Sequence, residues 1–321
     1  MSDLEKLIKE FLEYLEIEKN RSQPTVRNYK FYLKRFSSWA NVSSPEKITQ
    51  DMVRRYRLWL NRLKNEKGEF LNKSTQNYHL IALRSFLKYL ARRDIKTLAP
   101  EKIELAKIPE RQVAFLEGND LERLLEAPLE NQKSKIKNQK SNNLIILRDK
   151  AILELLFSTG LRVSELASLK KDQVNLSKDE FTVRGKGSKL RIVFLSNQAK
   201  YWLKKYLDQK NDMSPFLFLS HDRASSGREK KSKDEKSLTP RSIQRIVEKY
   251  ARIAGITKEV TPHTIRHSFA TDLLQGGADI RSVQAMLGHS SITTTQIYTH
   301  ITDQQLKEVH KAFHGRRRSN K

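Results

Sequence analysis

The chain has 321 residues, a length that suits two domains, and it contains no cysteine, which excludes disulfides, cysteine-liganded zinc and a thiol nucleophile. Its 62 Lys and Arg residues against 37 Asp and Glu give a formal net charge of +25, so we expect a polyanionic partner such as nucleic acid. No apolar run approaches the roughly 18 residues of a membrane span, and the N-terminus lacks a signal pattern, which predicts a soluble, cytoplasmic protein without membrane contact.

The first 107 residues have the pattern of a helical domain. Apolar residues recur at helical spacing from Leu4 to Leu15, which is typical of a helix with one face in a core. Similar apolar stripes follow near residues 23–39, 49–64 and 73–92. Four short helices of this kind predict a small bundle, which we assign to a domain at residues 1–107.

The last of these helices is a candidate for DNA binding. Arg84, Lys88 and Arg92 recur every four residues and so share one face, and the opening Ser74 to Asn77 carries polar side chains suited to base edges or phosphates. A solvated charged face is the alternative interpretation of the same spacing.

A linker follows the helical domain. Pro100 and Pro109 bracket a charged segment with little periodic apolar content, and we place the linker at residues 108–113 and a second domain at 114–321. Within the second domain, residues 130–143 and 222–237 are so polar that they are predicted to be disordered surface loops.

The second domain contains a helix stop followed by an arginine. An apolar helical run from Ile152 to Leu156 leads to Gly160, which suits the end of a helix, and Arg162 stands at the start of the next helix. Glu165, one turn later, is expected to orient a basic side chain and not to act on a substrate. Two β-rich segments within residues 181–195 then predict a hairpin with Lys186 at its mobile tip.

A phosphate site is predicted near the C-terminus. Thr261 is a good helix N-cap and Pro262 a good first helical residue, so His263 falls in the opening turn, where unpaired N–H groups favour an anion. Arg266 lies one turn further along the same face. Tyr298 follows Leu287-Gly-His289 in the sequence, and a phenol next to a bound phosphate can become covalently attached to it.

These motifs resemble those of the tyrosine recombinases, and within that family they are most similar to the Xer recombinases. The resemblance covers nearly the whole chain and is most specific at three stretches: GLRVSEL from Gly160, PHTIRHSFAT from Pro262 and LGHSSITTTQIYTH from Leu287. It implies a catalytic set of Arg162, Lys186, His263, Arg266, His289 and Tyr298.

The resemblance also implies a fold. It indicates a mainly α protein with a small β-sheet in the catalytic domain, in which a SAM-like helical domain and the catalytic domain form a C-shaped clamp on DNA. Two more arginines, Arg241 and Arg245, are predicted to contact DNA from the catalytic domain.

No carboxylate cluster of metal-ligand spacing accompanies these residues, which argues against two-metal hydrolysis. The resemblance implies a mechanism that needs no metal, ATP or other cofactor. Arg162 and Arg266 would hold the non-bridging oxygens, the histidines would add hydrogen bonds, and Lys186 would protonate the leaving oxygen. By resemblance, Tyr298 would form a 3′-phosphotyrosyl bond, and strand exchange would pass through a Holliday junction.

The partners are implied by the resemblance alone. They are double-stranded DNA with a dif-like inverted repeat, three further copies of the chain in a tetramer on two duplexes, a paralogous recombinase and a septal DNA translocase. The expected role is resolution of chromosome or plasmid dimers. The alternatives are a mobile-element integrase, a type IB topoisomerase-like nicking-closing enzyme and a catalytically silent DNA-binding protein.

Overall fold

The computed structural model describes residues 2–66, 68–108, 114–134, 140–185, 189–220 and 237–288. The chain divides into two compact units, Met1–Arg111 and Gln112–Lys321. The described residues are mainly helical, with one two-stranded sheet in the second unit. The predicted fold class of a mainly α protein with a small sheet in its second domain is therefore confirmed.

The first unit is a bundle of four helices. These are α1 (Asp3–Ile17), α2 (Gln23–Ala40), α3 (Gln50–Arg62) and α4 (Lys73–Ala91), close to the four predicted ranges. Three of them begin at a side chain that accepts a hydrogen bond from the first turn, and these caps are Ser2, Thr49 and Asn72. The apolar stripes meet in one core, whose largest buried side chains are Phe11, Phe36, Tyr56 and Phe86.

Asn77 at the start of α4 is a structural residue. Its side chain is only 5% exposed, and its amide donates to the carbonyl of Ala106 at 2.8 Å and accepts from the Ala106 N–H at 3.0 Å. The expectation that Asn77 reads base edges or phosphates is therefore wrong, because both ends of the amide already hold the backbone that follows the bundle.

The second unit is built around a long central helix. Its elements are α5 (Gly118–Ser134), α6 (Lys140–Thr159), α7 (Val163–Ala167), β1 (Glu180–Arg184), β2 (Leu190–Phe194), α8 (Asn197–Gln209), α9 (Pro240–Ile253), α10 (Pro262–Gln275) and α11 (Ile280–Leu287). Helix α6 packs against α5, α8 and α10, and its side chains Ile152, Leu155 and Leu156 are fully buried. The strands pair antiparallel from Glu180 with Phe194 to Arg184 with Leu190, as the hairpin prediction required.

The polar segments differ in part from the prediction. Residues 130–134 and 140–143 belong to α5 and α6, so the predicted loop at 130–143 is wrong for these positions. Extending a helix that already exists costs little, even for polar residues. Residues 135–139, most of the predicted loop at 222–237 and linker residues 109–113 lie outside the described part of the chain. Among the described helices, none combines the length and apolarity needed to span a bilayer.

Candidate active site

Three of the six predicted catalytic residues lie in the described part of the second unit, namely Arg162, His263 and Arg266. Lys186, His289 and Tyr298 lie outside the described residues. The described three come from two places in the fold, the segment between α6 and α7 and the first turns of α10. Their contacts show how the fold holds them in one region.

Gly160 ends α6 and turns the chain toward Arg162. Its φ of +58° is in the left-handed region, which glycine adopts at little cost. The carbonyl of Gly160 accepts a hydrogen bond from Nη1 of Arg266 at 2.5 Å. The stop that ends α6 therefore also positions an arginine from a helix more than a hundred residues later.

Helix α10 presents His263 at its N-terminus. Thr261 caps the helix by accepting from the N–H of Thr264 at 3.3 Å, and Pro262 occupies the first turn. His263 is exposed in that turn, where the positive end of the helix dipole favours an anion. Partial desolvation of the ring and the positive charges of Arg266 and Arg162 lower the pKa of His263. The imidazole is therefore mainly neutral at pH 7 when no anion is present.

Arg266 is only 4% exposed. A buried guanidinium needs acceptors for its N–H groups, and two of these are the carbonyls of Gly160 and Leu287, each at 2.5 Å. These bonds connect α10 to the end of α6 and to the end of α11. The position of Arg266 is thus fixed by backbone atoms, which move less than side chains.

Glu165 lies between two arginines. Its carboxylate accepts from Nη1 of Arg162 at 2.9 Å and from both terminal nitrogens of Arg191, at 2.9 and 2.7 Å. Burial by itself would raise the Glu165 pKa, but the hydrogen bonds and charges of Arg191 and Arg162 outweigh burial and hold the pKa at about 2. The predicted contact of Glu165 with a basic side chain is present, and the carboxylate stays ionised at neutral pH.

The sequence analysis missed Arg191. Its signal is the parity of β2, because Arg191 is two residues from the buried Val193 and so points inward, while Leu190 and Ile192 point outward and are exposed. A charged residue at an inward position of a strand needs a buried partner. That partner is Glu165, which belongs to a motif the sequence analysis had identified.

Three arginines hold the C-terminal end of α11. The carbonyl of Met286 accepts from Nε of Arg191 at 3.1 Å, that of Leu287 from Nη2 of Arg266, and that of Gly288 from Nη2 of Arg162 at 3.0 Å. Carbonyls at a helix C-terminus lack partners within the helix and carry partial negative charge, so cations suit them. The next residue in the chain is His289.

This arrangement suits binding of a phosphodiester. Two arginines and a helix N-terminus bearing a neutral histidine can stabilise charge that develops on non-bridging phosphate oxygens. Among the described residues, no group of three or more His, Asp or Glu side chains is placed to hold a metal ion.

The predicted DNA-contact residues are on exposed surfaces. Arg84 and Lys88 are exposed on α4, and Arg241 and Arg245 are exposed on the first turns of α9. Arg92 is also exposed, but it lines a cavity of about 460 Å³ that Glu10, Glu13 and Glu18 line as well. Arg93 lines the cavity too and pairs with Glu10, but the carboxylates outnumber it, which makes the surroundings of Arg92 less favourable to a phosphate.

Comparison with protein families gives two matches. Residues 114–305 match the phage integrase family, and residues 8–94 match the phage integrase N-terminal SAM-like domain. The first match covers the described part of the site, and the second begins within α1 and covers the rest of the four-helix bundle. Together they span most of the chain.

Similar proteins extend over nearly the full length. The chain is 39% identical to tyrosine recombinase XerD of Chlorobaculum tepidum, with 97% of each chain covered. It is 36% identical to tyrosine recombinase XerC of Thermodesulfovibrio yellowstonii, with 98% of each covered.

Solved structures share the fold. XerH recombinase bound to its difH substrate before cleavage aligns with a TM-score of 0.67 at 23% identity, covering 94% of this chain and 82% of that one. A lambda integrase dimer bound to a COC′ core site aligns with a TM-score of 0.68 at 17% identity, covering 93% of this chain and 95% of that one.

Proposed function

The chain belongs to the phage integrase family of tyrosine recombinases and is a DNA strand-transferring enzyme of the Xer type, and from this premise we propose that Tyr298 cuts and rejoins DNA at a specific site. The observation that supports the proposal most is the joint anchoring of Arg162 and Arg266, with His263 at the start of α10 beside them. Phosphoryl transfer is accelerated by positive charge that is fixed where negative charge develops in the transition state.

The reaction is a transesterification. The Tyr298 oxygen attacks phosphorus, a bond forms between phosphorus and that oxygen, and the bond from phosphorus to the 5′ oxygen breaks. The phenol proton passes to a neighbouring base, for which His263 and His289 are the candidates, and Lys186 protonates the departing 5′ oxygen. Because the phosphotyrosyl ester keeps the bond energy, a second 5′-hydroxyl can reverse the step and join a new strand without ATP.

Arg162 and Arg266 stabilise the transition state. Negative charge grows on the two non-bridging oxygens as the tyrosine approaches, and a guanidinium meets such oxygens with two parallel donors. In this proposal Glu165 orients Arg162 and takes no part in proton transfer, which agrees with its depressed pKa.

The substrate is proposed to be a duplex with a dif-like inverted repeat, bound by four copies of the chain on two duplexes in the cytoplasm. A paralogous recombinase and a septal translocase are further proposed partners, with dimer resolution as the role. The division into a DNA-binding domain at 1–107, a linker at 108–113 and a catalytic domain at 114–321, closing on DNA as a clamp, belongs to the same proposal. The near-complete match to curated Xer recombinases does not favour an integrase, a topoisomerase or a silent binding protein.

The test of Tyr298 is covalent trapping. On a nicked suicide substrate, the wild type is expected to form a denaturant-stable protein–DNA adduct and Tyr298→Phe none, with DNA affinity nearly unchanged because only one hydroxyl is lost. Tyr201→Phe is the matched control, since Tyr201 is an exposed tyrosine on α8. An adduct with Tyr298→Phe, or none with the wild type, would contradict the assignment. Adduct formation in EDTA tests metal independence.

The test of recombination uses a plasmid with two cognate repeats. Resolution products and Holliday junctions are expected from the wild type. Relaxation of supercoils on any plasmid, without exchange, would favour the topoisomerase alternative instead.

A further inference from the structure

Arg191 connects separate parts of the active site. It is the second residue of β2, which begins just after the predicted tip of the hairpin that carries Lys186. Its two terminal nitrogens donate hydrogen bonds to Glu165, and its Nε donates to the carbonyl of Met286, three residues before His289. The side chain is 8% exposed, so these bonds form with little competition from water.

The two hydrogen bonds from Arg191 determine the orientation of the Glu165 carboxylate. Each carboxylate oxygen accepts one bond from Arg191 and one from Arg162, whose side chain bonds Oε1 at 2.9 Å and whose backbone N–H bonds Oε2 at 2.8 Å. A planar guanidinium that meets a carboxylate with two parallel bonds fixes its plane. Because the plane of the carboxylate is fixed, Oε1 stays directed at Nη1 of Arg162 and keeps that guanidinium in one orientation.

The backbone around Arg191 leaves space for this side chain and little else. A β-carbon on Gly288 would lie 2.9 Å from Cδ of Arg191, and one on Gly185 would lie 3.1 Å from Nη1. Gly288 also has a φ of +63°. Two glycines thus let the chain pass close to Arg191 at the end of α11 and at the end of β1.

We propose that Arg191 is a positioning residue for strand cleavage. Arg191 holds Glu165, which in turn orients Arg162. It also holds the end of α11, from which the chain continues to His289. Three of the five N–H donors of Arg191 are directed to Glu165 and Met286, so in this proposal Arg191 acts through its neighbours and not by contact with the phosphate. This inference rests on the proposed function, since it concerns the rate at which Tyr298 attacks.

The experiment is single-turnover cleavage of a nicked suicide substrate by the full-length protein. The variants are Arg191→Met, Glu165→Gln and the double variant, each measured for DNA affinity, adduct amplitude and cleavage rate constant. Arg123→Met is the matched control, because Arg123 also pairs with a carboxylate, that of Asp120, but is exposed on α5. A loss of folded protein lowers the amplitude, whereas a loss of positioning lowers the rate constant.

Arg191→Met is expected to slow cleavage roughly 10- to 100-fold, the range that a small misplacement of catalytic groups produces. DNA affinity and amplitude should remain close to those of the wild type, and Arg123→Met should cleave at the wild-type rate. Because Arg191 acts partly through Glu165, the double variant should be less impaired than the product of the two single effects predicts.

Three results would overturn the inference: a wild-type rate constant for Arg191→Met, a lower amplitude with an unchanged rate constant, or independent effects of Arg191 and Glu165. If Arg191→Met does not fold, Arg191→Lys gives the answer. The lysine ammonium keeps the positive charge but cannot make the two parallel hydrogen bonds to Glu165. The Arg191→Lys protein should therefore fold and still cleave slowly. Cleavage at the wild-type rate by Arg191→Lys would overturn the inference. A wild type without any adduct would instead remove the proposed function.

Discussion

Gly160 and Phe269 are packed so closely that a β-carbon on residue 160 would lie 2.5 Å from Cδ1 of the phenylalanine ring. The same β-carbon would lie 3.2 Å from Leu287, and residue 160 has a positive φ. Both constraints favour glycine at the point where the carbonyl of residue 160 holds Arg266.

Replacing Gly160 by alanine should therefore destabilise the second unit. The positive φ costs roughly 1 kcal/mol for an L-residue, and the clash with a packed ring adds roughly 1–3 kcal/mol. Gly255→Ala is the matched control, because Gly255 has a φ of +68° and a β-carbon there would only reach ordinary contact at 3.9 Å. Urea unfolding measures both, and equal losses for the two variants would contradict the packing argument.

Glu165 should make stability depend on pH. Its folded pKa of about 2 lies below the value of 4.5 for an unperturbed glutamate, so protons favour the unfolded chain. The stabilisation is complete above about pH 4.5, corresponds to roughly 3 kcal/mol there, and is lost as the pH falls through about 2. The difference in unfolding free energy between wild type and Glu165→Gln should therefore be smaller at pH 3 than at pH 6. Glu13→Gln, which alters an exposed pair with Lys9, should show little change.

The pKa of His263 should rise when DNA binds, so that a fraction of the protein takes up a proton. The protonated imidazole donates to the phosphate, and only the neutral fraction can accept the phenol proton. Its pKa is lowered in the free protein by partial desolvation and by Arg266 and Arg162, and a phosphate beside the ring would raise it again. Between the two pKa values, DNA affinity should increase as the pH falls, by at most about tenfold per pH unit for one proton. Fluorescence anisotropy from pH 5.5 to 8 measures this slope, and His263→Gln should reduce it. An unchanged slope would place the proton uptake elsewhere.

Arg84 and Lys88 should each contribute one phosphate contact. Removing either one by alanine substitution should weaken DNA binding and reduce the slope of log affinity against log salt by about 0.9. Arg92→Ala should have a smaller effect, because Arg92 lines a cavity with three glutamates. Salt titration of duplex binding gives all three slopes. A larger change for Arg92 than for Arg84 would mean that DNA passes along the cavity that Arg92 lines with the glutamates of α1.

Local signals in the sequence predicted most of the fold. The apolar spacing located α1 to α4 within two residues at each end, and the cap at Thr261 and the stop at Gly160 lie where expected. These features depend on neighbours a few positions away, so their causes are visible in a short stretch of sequence.

Contacts between distant residues were not predictable in the same way. The carbonyls that hold Arg162 and Arg266 have no side-chain signature, because any residue can supply a carbonyl. Asn77 has a side chain of the type that can contact DNA, but in the structure it binds the backbone of Ala106. This contact was not predictable because the two residues are 29 positions apart in the sequence. Arg191 could have been found only by combining strand parity with the need of a buried arginine for a carboxylate.

We expect the end of α11 to determine the temperature at which cleavage is lost. This helix has eight residues, and its buried side chains Val283 and Leu287 form a small cluster with Ala270 and Leu274, separate from the main core of the second unit. Small peripheral clusters open at lower free energy than large cores. If the end of α11 frays, Arg162, Arg191 and Arg266 lose a carbonyl acceptor together. Cleavage should therefore disappear on heating as one cooperative event, before the bulk of the second unit melts.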